Sequence, residues 1–443
     1  VHGRFRGGTH PPDSKHYAKD RAIADAPVPD ELVVPLSQHI GKPAEAVVQP
    51  GEAVRRGQLL GRAAGFVSAA VHSPVSGTVK KLVDTPHPLG MTVQAVLLGN
   101  DRADAWAEGC DEARDTGSLD AAAIVSAVQE AGIVGMGGAT FPTHVKLSPP
   151  KDKPIDTVIL NGVECEPFLT ADHRLMLESP ATILEGMRLV MRAVGAAAGI
   201  VGIEANKPDA AEALRNELAG AADIRVEVLP VMYPQGGEKQ LIAACTGREV
   251  PSGGLPMDIG VVVQNVGTAH AVWEACAKRR PLTERITTVT GPGIRSPQNL
   301  RVRIGTPLSV LLAHCDFDEA ATKKLVLGGP MTGPAQFDTS IPVNKGASGV
   351  LALTEAATGP HRDCIRCGRC VDGCPAGLVP SQISILAERG ECLATKEWDV
   401  LDCIECGVCT YVCPARRPIV HWVKVCKGEL ARQRAEAQAA ATS

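Results

Sequence analysis

The sequence predicts a multidomain α/β and β protein, and three observations carry that expectation. The chain has 443 residues, enough for three or four domains. Between Ser118 and Leu229 helical and strand patterns alternate, which implies a parallel sheet covered by helices. Residues 31–98 and 286–327 instead break into short apolar runs separated by Gly and Pro, as small β modules do.

Composition narrows the class. Hydrophobic residues make up 44% and charged residues 21%, enough for several buried cores in a soluble protein. The formal charge of −4, with no block of Lys and Arg, argues against nucleic acid as a partner. The first residues are polar and rich in Gly and Pro, unlike a secretory leader. Arg188, Arg192 and several glycines interrupt the most apolar long stretch, Ile183 to Ile203, so it reads as a helix and a strand rather than a membrane span.

Residues 1–30 read as an extended N-terminal arm holding the run Gly7-Gly8-Thr9-His10-Pro11-Pro12. Residues 31–110 read as a barrel sandwich, because Pro50-Gly51-Glu52, Gly57-Gln58 and Ser73-Pro74-Val75-Ser76-Gly77 resemble the hairpins of lipoyl- and biotinyl-type β barrels. No modifiable lysine signal stands at a hairpin tip, so the barrel is expected to be structural. Residues 115–280 form the α/β domain, opening on a helix over Ser118 to Ala131 with Ser118 as N-cap. Residues 284–355 are expected to be a β-grasp module, 359–427 a helical cysteine domain, and 428–443 a short helix or frayed tail.

Chemistry enters with the cysteines. Of fifteen, eight fall into two matched runs, Cys364-x-x-Cys367-x-x-Cys370-x-x-x-Cys374-Pro375 and Cys403-x-x-Cys406-x-x-Cys409-x-x-x-Cys413-Pro414. Disulfides do not require such regularity, and a reducing compartment is the better account. Zinc sites use paired Cys-x-x-Cys without the Cys-Pro closure. Both runs match the bacterial pattern for two [4Fe–4S] clusters, in which the fourth cysteine of each run serves the other cluster. Cys364, Cys367, Cys370 and Cys413 are therefore assigned to one cluster, and Cys403, Cys406, Cys409 and Cys374 to the other. A helix is expected between the runs, over Ser381 to Arg389. The remaining cysteines are expected to be small buried hydrophobes.

A second feature is the glycine-rich loop Gly135-Met136-Gly137-Gly138-Ala139-Thr140-Phe141-Pro142-Thr143. Glycine lets backbone amides approach an anion, although this loop follows a helix and is not G-x-G-x-x-G. With His144-Val145-Lys146 it resembles the flavin loop of the NADH-oxidising subunit of respiratory complex I, with Met136 and Thr140 as departures. Asn161-Gly162-Val163-Glu164-Cys165-Glu166-Pro167 resembles the segment of that family beside flavin and nicotinamide. Tyr233-Pro234-Gln235-Gly236-Gly237-Glu238 and Gln264-Asn265-Val266-Gly267-Thr268 are similar to two further turns. A fuller resemblance, to the RnfC family of the Rnf electron-transport complex, rests on the Gly-Gly-x-His-Pro-Pro arm, Val34-Pro35-Leu36-Ser37-Gln38-His39-Ile40-Gly41, Glu164 to Arg174, Tyr233 to Gly237 and both cysteine runs. It covers nearly the whole chain.

That resemblance implies a Rossmann-like α/β flavin/nucleotide domain, an SLBB-like β-grasp module and a ferredoxin-like two-cluster domain. The cofactors implied are non-covalent FMN and two [4Fe–4S] clusters, with NAD(H) as substrate. It places Gly135, Gly137, Gly138, Lys146, Asn161, Glu164, Gly236, Glu238, Gln264, Asn265 and Thr268 at the cofactor, and Glu164 and Glu166 in catalysis. The implied activity is that of an NADH:ferredoxin oxidoreductase (translocase) subunit, peripheral on the cytoplasmic face of a bacterial inner membrane. Its implied partners are membrane subunits, a ferredoxin-like iron–sulfur subunit and, indirectly, ferredoxin. Two alternatives stand beside it: a flavin/iron–sulfur cobalamin reductase, which begins near its glycine loop and so lacks the barrel, and a cluster-bearing assembly scaffold without flavin.

Overall fold

The computed structural model describes residues 5–356 and 359–442; the first four residues of the expected arm and the last of the expected tail lie outside them. The chain divides into two compact units. The larger comprises Asp13–Val228 and Pro256–Ala356; the smaller gathers the described residues up to Pro12, Leu229–Leu255 and those from 359 on. Leu229–Leu255, within the span expected for the nucleotide domain, thus belongs with the cysteine runs.

In the larger unit, strands Glu31–Pro35, Thr92–Asn100, Gly77–Pro86 and Ala53–Val54 form one sheet, and Glu45–Ala46, Leu59–Arg62 and Val71–His72 a second. Leu32, Val34, Leu60, Val79, Val96 and Leu98 are fully buried among them. The turn joining the two longest strands, His87 to Met91, carries no lysine.

The α/β part has four strands in the order Ile224–Leu229, Ala198–Glu204, Thr157–Asn161, Val261–Asn265. Thr157–Asn161 pairs in parallel with both of its neighbours. Helix Pro180–Val194 crosses between Thr157–Asn161 and Ala198–Glu204, with Pro at its start and a left-handed Gly195 (φ 72°) at its end, as helix-terminus chemistry favours. Ile183, Leu184, Met187, Leu189, Val190 and Met191 are buried on it. Each such side chain contributes roughly 1.5–3 kcal/mol.

The third part is a mixed sheet. Glu284–Thr290 forms an antiparallel hairpin with Gln298–Arg303 and runs parallel to Gly349–Leu353, which pairs antiparallel with Lys324–Leu327.

Four local expectations are corrected. Asp120, not Ser118, caps the first α/β helix: its carboxylate accepts from the Ala123 amide at 2.8 Å, while the Ser118 hydroxyl donates to the Asp115 carbonyl. Pro-Leu-Ser-Val-Leu-Leu after Gln298–Arg303 is a helix, Leu308–His314, burying Leu308, Leu311 and Leu312 at helical spacing. The arm is not merely extended: it makes a 3₁₀ turn at Lys15–Tyr17, and Ile23–Asp25 joins the mixed sheet parallel to Gln298–Arg303. The tail is the end of a long helix, Ile419–Thr442, where Arg432 pairs with Glu429 at 2.7 Å and Glu436 at 2.5 Å. Among the other cysteines, Cys245, Cys276, Cys315, Cys392 and Cys426 are buried, but Cys110 and Cys165 are only half-buried.

One contact sets how closely the α/β helices approach. A Cβ on Gly186, in Pro180–Val194, would lie 1.9 Å from the carbonyl oxygen of Ala269, in helix Val266–Lys278. Gly186→Ala is therefore expected to destabilise the larger unit by about 2–3 kcal/mol through overpacking. Gly195→Ala, with nothing within 4 Å of its Cβ but a left-handed backbone, should cost nearer 1 kcal/mol. Denaturant unfolding of the two variants checks the order.

Candidate functional site

Strand order reverses between Thr157–Asn161 and Val261–Asn265, because the chain leaves the first strand toward one edge of the sheet and later returns on its other side. Ligands of open α/β sheets bind beyond the carboxyl ends of the strands at such a point. Here those ends are Asn161 and Asn265, paired in register.

Asn265 organises the far side. Its side-chain oxygen accepts from the Gly267 and Thr268 amides, at 2.8 and 3.3 Å, and so caps helix Val266–Lys278. Its amide nitrogen donates to Asp172 at 2.6 Å. The glycine loop lies against this cap. Gly137 faces the Asn265 side chain, 3.5 Å from a Cβ built on the glycine, and the Met136 amide donates to the buried Thr268 hydroxyl at 2.9 Å. Gly135 differs from the sequence expectation, since its amide donates to the Phe141 carbonyl at 2.8 Å and closes the loop upon itself. The Gly137 and Gly138 amides have no acceptor among the described residues, and Gly138 takes φ +107°, where a side chain would be strained. Lys146 donates to the Val263 carbonyl at 3.2 Å, and the side-chain nitrogen of the buried Gln264 has no partner among the described residues.

The segment after Asn161 is held by two buried lysines that sequence reasoning missed. Lys15 donates to the Glu164, Glu166 and Leu169 carbonyls at 2.9, 3.1 and 2.5 Å. Lys207, fully buried, donates to the Val163 carbonyl at 2.7 Å and lies 3.6 Å from Glu204. Burial brings its pKa down to about 8, with Lys15 adding to the shift.

Both carboxylates expected in catalysis are engaged. Glu164, at φ 44°, accepts from the Asp172 and His173 amides at 2.8 and 3.3 Å, at the start of helix Ala171–Glu178. Glu166 accepts from the Met331 amide at 3.0 Å and the Thr332 hydroxyl at 2.5 Å, and burial raises its pKa. Asp172, between Glu164 and Asn265, is another missed residue; burial first, then the Glu164 charge, raises its pKa to about 7. Its only signal was its place in the run Thr170-Ala171-Asp172-His173-Arg174.

Gly236 and Glu238 lie in the smaller unit, with the cysteine runs. There Gly8 donates its amide to the Gly373 carbonyl, Thr9 bridges Tyr233, and the Tyr233 hydroxyl donates to the Cys406 carbonyl at 2.7 Å. A Cβ on Gly7 (φ +75°) would meet the Cys374 carbonyl oxygen at 2.7 Å, which explains the paired glycines of the arm.

Cys374 leaves its own run and lines one apolar cavity with Cys403, Cys406 and Cys409. Burial raises the Cys406 pKa to about 12, and Cys403 and Cys374 reinforce the shift. Cys370 and Cys413 pack with Cys409 and Ile419 in a neighbouring cluster. Among the described residues no three His, Cys, Asp or Glu side chains converge on the position of a single ion. Four thiols around an apolar cavity suit a multi-iron cluster, and free loop amides at a switch point suit a phosphate-bearing cofactor.

These two units define an electron-transfer protein that carries both a nucleotide-type site and a paired-cluster domain. Residues 3–103 match the family model for the RnfC barrel sandwich hybrid domain, 128–274 the Nuo51 FMN-binding domain, and 363–416 a 4Fe-4S dicluster domain. Over 428 residues, 96% of this chain and 93% of the relative, it is 47% identical to the RnfC-type subunit of the proton-translocating ferredoxin:NAD(+) oxidoreductase complex of Clostridium ljungdahlii. It is 45% identical to the Na(+)-translocating counterpart of Acetobacterium woodii, covering 98% of each chain. Identity to the corresponding subunit of the ion-translocating oxidoreductase complex of Rhodobacter capsulatus is 43%, over 96% of this chain and 83% of that one. The chain belongs to the RnfC family of ion-translocating ferredoxin:NAD(+) oxidoreductase (Rnf) complex subunits.

Lys345, also fully buried, braces the loop from behind by donating to the Ala70 and Gly132 carbonyls at 2.6 and 2.7 Å. A neutral amine has two N–H groups, and two carbonyls accept them. Burial accordingly brings its pKa from 10.5 down to about 7. The unfolded chain then binds the extra proton between about pH 7 and 10.5, so stability should rise with pH across that window, by up to about 1.4 kcal/mol per unit. Below pH 7 both states are protonated and the contribution is flat. Urea unfolding at pH 6.5, 8 and 9.5 should give a wild-type minus Lys345→Met difference that grows with pH; a constant difference would mean a charged Lys345.

Proposed function

We propose that this chain is the peripheral electron-input subunit of a membrane-bound, ion-translocating NADH:ferredoxin oxidoreductase complex. The observation that carries the reading is the joint presence, in one chain, of a switch-point loop with free amides and two cysteine runs, with Cys374 of the first lining a cavity with Cys403, Cys406 and Cys409 of the second. FMN, when bound, supplies the conversion between hydride transfer from NAD(H) and single-electron transfer. Membrane subunits and a ferredoxin-like iron–sulfur subunit are its partners in this reading, with the chain on the cytoplasmic face. Among the described residues no helix is long and apolar enough to cross a membrane.

The domains are read accordingly: a lipoyl-like barrel over 31–110, a Rossmann-like domain within 115–280, an SLBB-like β-grasp over 284–355 and a ferredoxin-like domain over 359–427. The central parallel pair and flanking antiparallel strands of the mixed sheet support the β-grasp reading.

The amides of Gly137 and Gly138 are the groups that would hold the flavin phosphate. Thr268 and Asn265 position them, through the Met136 amide and the helix cap. Asn161 and Gln264 stand at the strand ends beside them. Glu164 and Glu166 are read as positioning residues, since each already accepts hydrogen bonds that hold the loop between Asn161 and Ala171. Cys364, Cys367, Cys370 and Cys413 would hold one cluster, and Cys374, Cys403, Cys406 and Cys409 the other.

Two measurements test the site residues. A Cβ on Gly137 meets only ordinary contacts, at 3.5–3.9 Å, so the apo fold has room for a side chain there. Gly137→Val should keep the fold by circular dichroism yet lose most of its FMN; full occupancy would remove the loop from the flavin site. For the clusters, EPR of reduced Cys374→Ala should resemble Cys406→Ala, not Cys367→Ala. The opposite result would give each run its own cluster.

A further inference from the structure

The two cysteine runs match in backbone but differ in surface. Gly368 and Gly407 occupy equivalent left-handed positions (φ 77° and 81°), and Arg366 and Glu405 share φ 56°. Glu405 is tied to the C-terminal helix by Lys427 at 2.8 Å and Lys424 at 4.0 Å, and Ile404 lines the cavity of the second run. The first run is more open. Cys367 is the one exposed cysteine among the described residues, and Ile365 beside it is 67% exposed. Tyr411, one residue from Val412 and two from Cys413, is 50% exposed.

Charge follows the same asymmetry. Arg362, Arg366, Arg369 and Arg416 are all exposed, and none forms an ion pair among the described residues. The Arg362 amide donates to the Ala415 carbonyl at 2.9 Å, which sets Arg362 beside Arg416 at the end of the second run. Against these four cations stand only Asp363 and Asp372 nearby in the chain. An apolar centre with a charged rim is the anatomy of a transient protein interface, and the sign of the rim selects the partner.

We propose that this face, centred on Cys367 and Ile365 and rimmed by the four arginines, docks the acidic surface of a one-electron carrier protein. The inference rests on the electron-input reading for its purpose, but its geometry lies wholly within the smaller unit. Docking there brings a carrier against the least covered of the eight cysteines.

The test uses the full chain with both clusters, purified anaerobically and reduced with dithionite, so that it does not depend on NADH oxidation. The probe is a small acidic two-[4Fe–4S] ferredoxin, titrated at low and high salt against wild type, Arg366→Glu and Arg416→Glu. Glu405 already occupies the equivalent backbone position, so Arg366→Glu introduces no new strain. Each reversal is expected to weaken low-salt binding by about tenfold and to flatten its salt dependence, with cluster EPR signals unchanged. If Arg366→Glu fails to assemble its clusters, Arg416→Glu, outside both runs, decides alone. Wild-type affinity in the assembled variants overturns the proposal. So does a wild type that binds phosphatidylglycerol vesicles but not the ferredoxin, which would make the face a lipid contact. A wild type that binds the ferredoxin but oxidises no NADH would instead count against the electron-input reading and leave the docking face standing.

Discussion

Three lysine amines buried against main-chain carbonyls hold the walls of the switch point. Lys15, Lys207 and Lys345 come from distant parts of the sequence, and their hydrogen-bond partners are predominantly backbone oxygens. Loops rich in Gly and Pro leave carbonyls without partners when they are buried, and each costs about 1–3 kcal/mol if left so. A lysine meets two or three such groups at once, at the end of a stem long enough to reach them. Its own desolvation is the opposing cost, visible in the lowered pKa of Lys207 and Lys345. The loop after Asn161 and the base of the glycine loop are thereby fixed without regular secondary structure.

That arrangement explains why the glycine loop works here despite following a helix. Its position comes from Thr268 and the capped helix Val266–Lys278, which project from the end of the neighbouring strand. The helix start therefore plays two parts: its cap residue binds Asp172, and its first turn supplies the hydroxyl that holds Met136. The Gly135 amide is used to close the loop, which leaves its successors facing outward.

The architecture was largely legible in the sequence because it follows from periodicity and punctuation. The alternating segments became the four-stranded sheet, and both matched cysteine runs lie in the smaller unit. Helix Leu308–His314 escapes sequence reading because seven residues after a strand contain too little periodicity to separate the two states. Ser118 and Asp120 can both cap by residue type, and only the register of the first turn decides for Asp120. The lysines were illegible for a different reason. Nothing local to Lys15 reports that its ammonium meets carbonyls 149 to 154 residues away.

Glu164 and Glu166 show where resemblance and physical role part. The motif marked the right loop, but a carboxylate can matter to a site by shaping it. Glu164 sits at a positive φ that only a held side chain makes tolerable, and two helix-start amides hold it. Its charge in turn raises the Asp172 pKa to about 7, after burial, next to the Asn265 cap. Asp172 lies inside the same family segment, although the resemblance named only Glu164 and Glu166. Arg285 opposes full neutralisation there, because its guanidinium, itself lowered to about 10 by burial, is attracted to Asp172. Burial and the Glu164 charge on one side, and the Asn265 amide, Arg285 and Lys207 on the other, therefore act together on Asp172 at the strand ends.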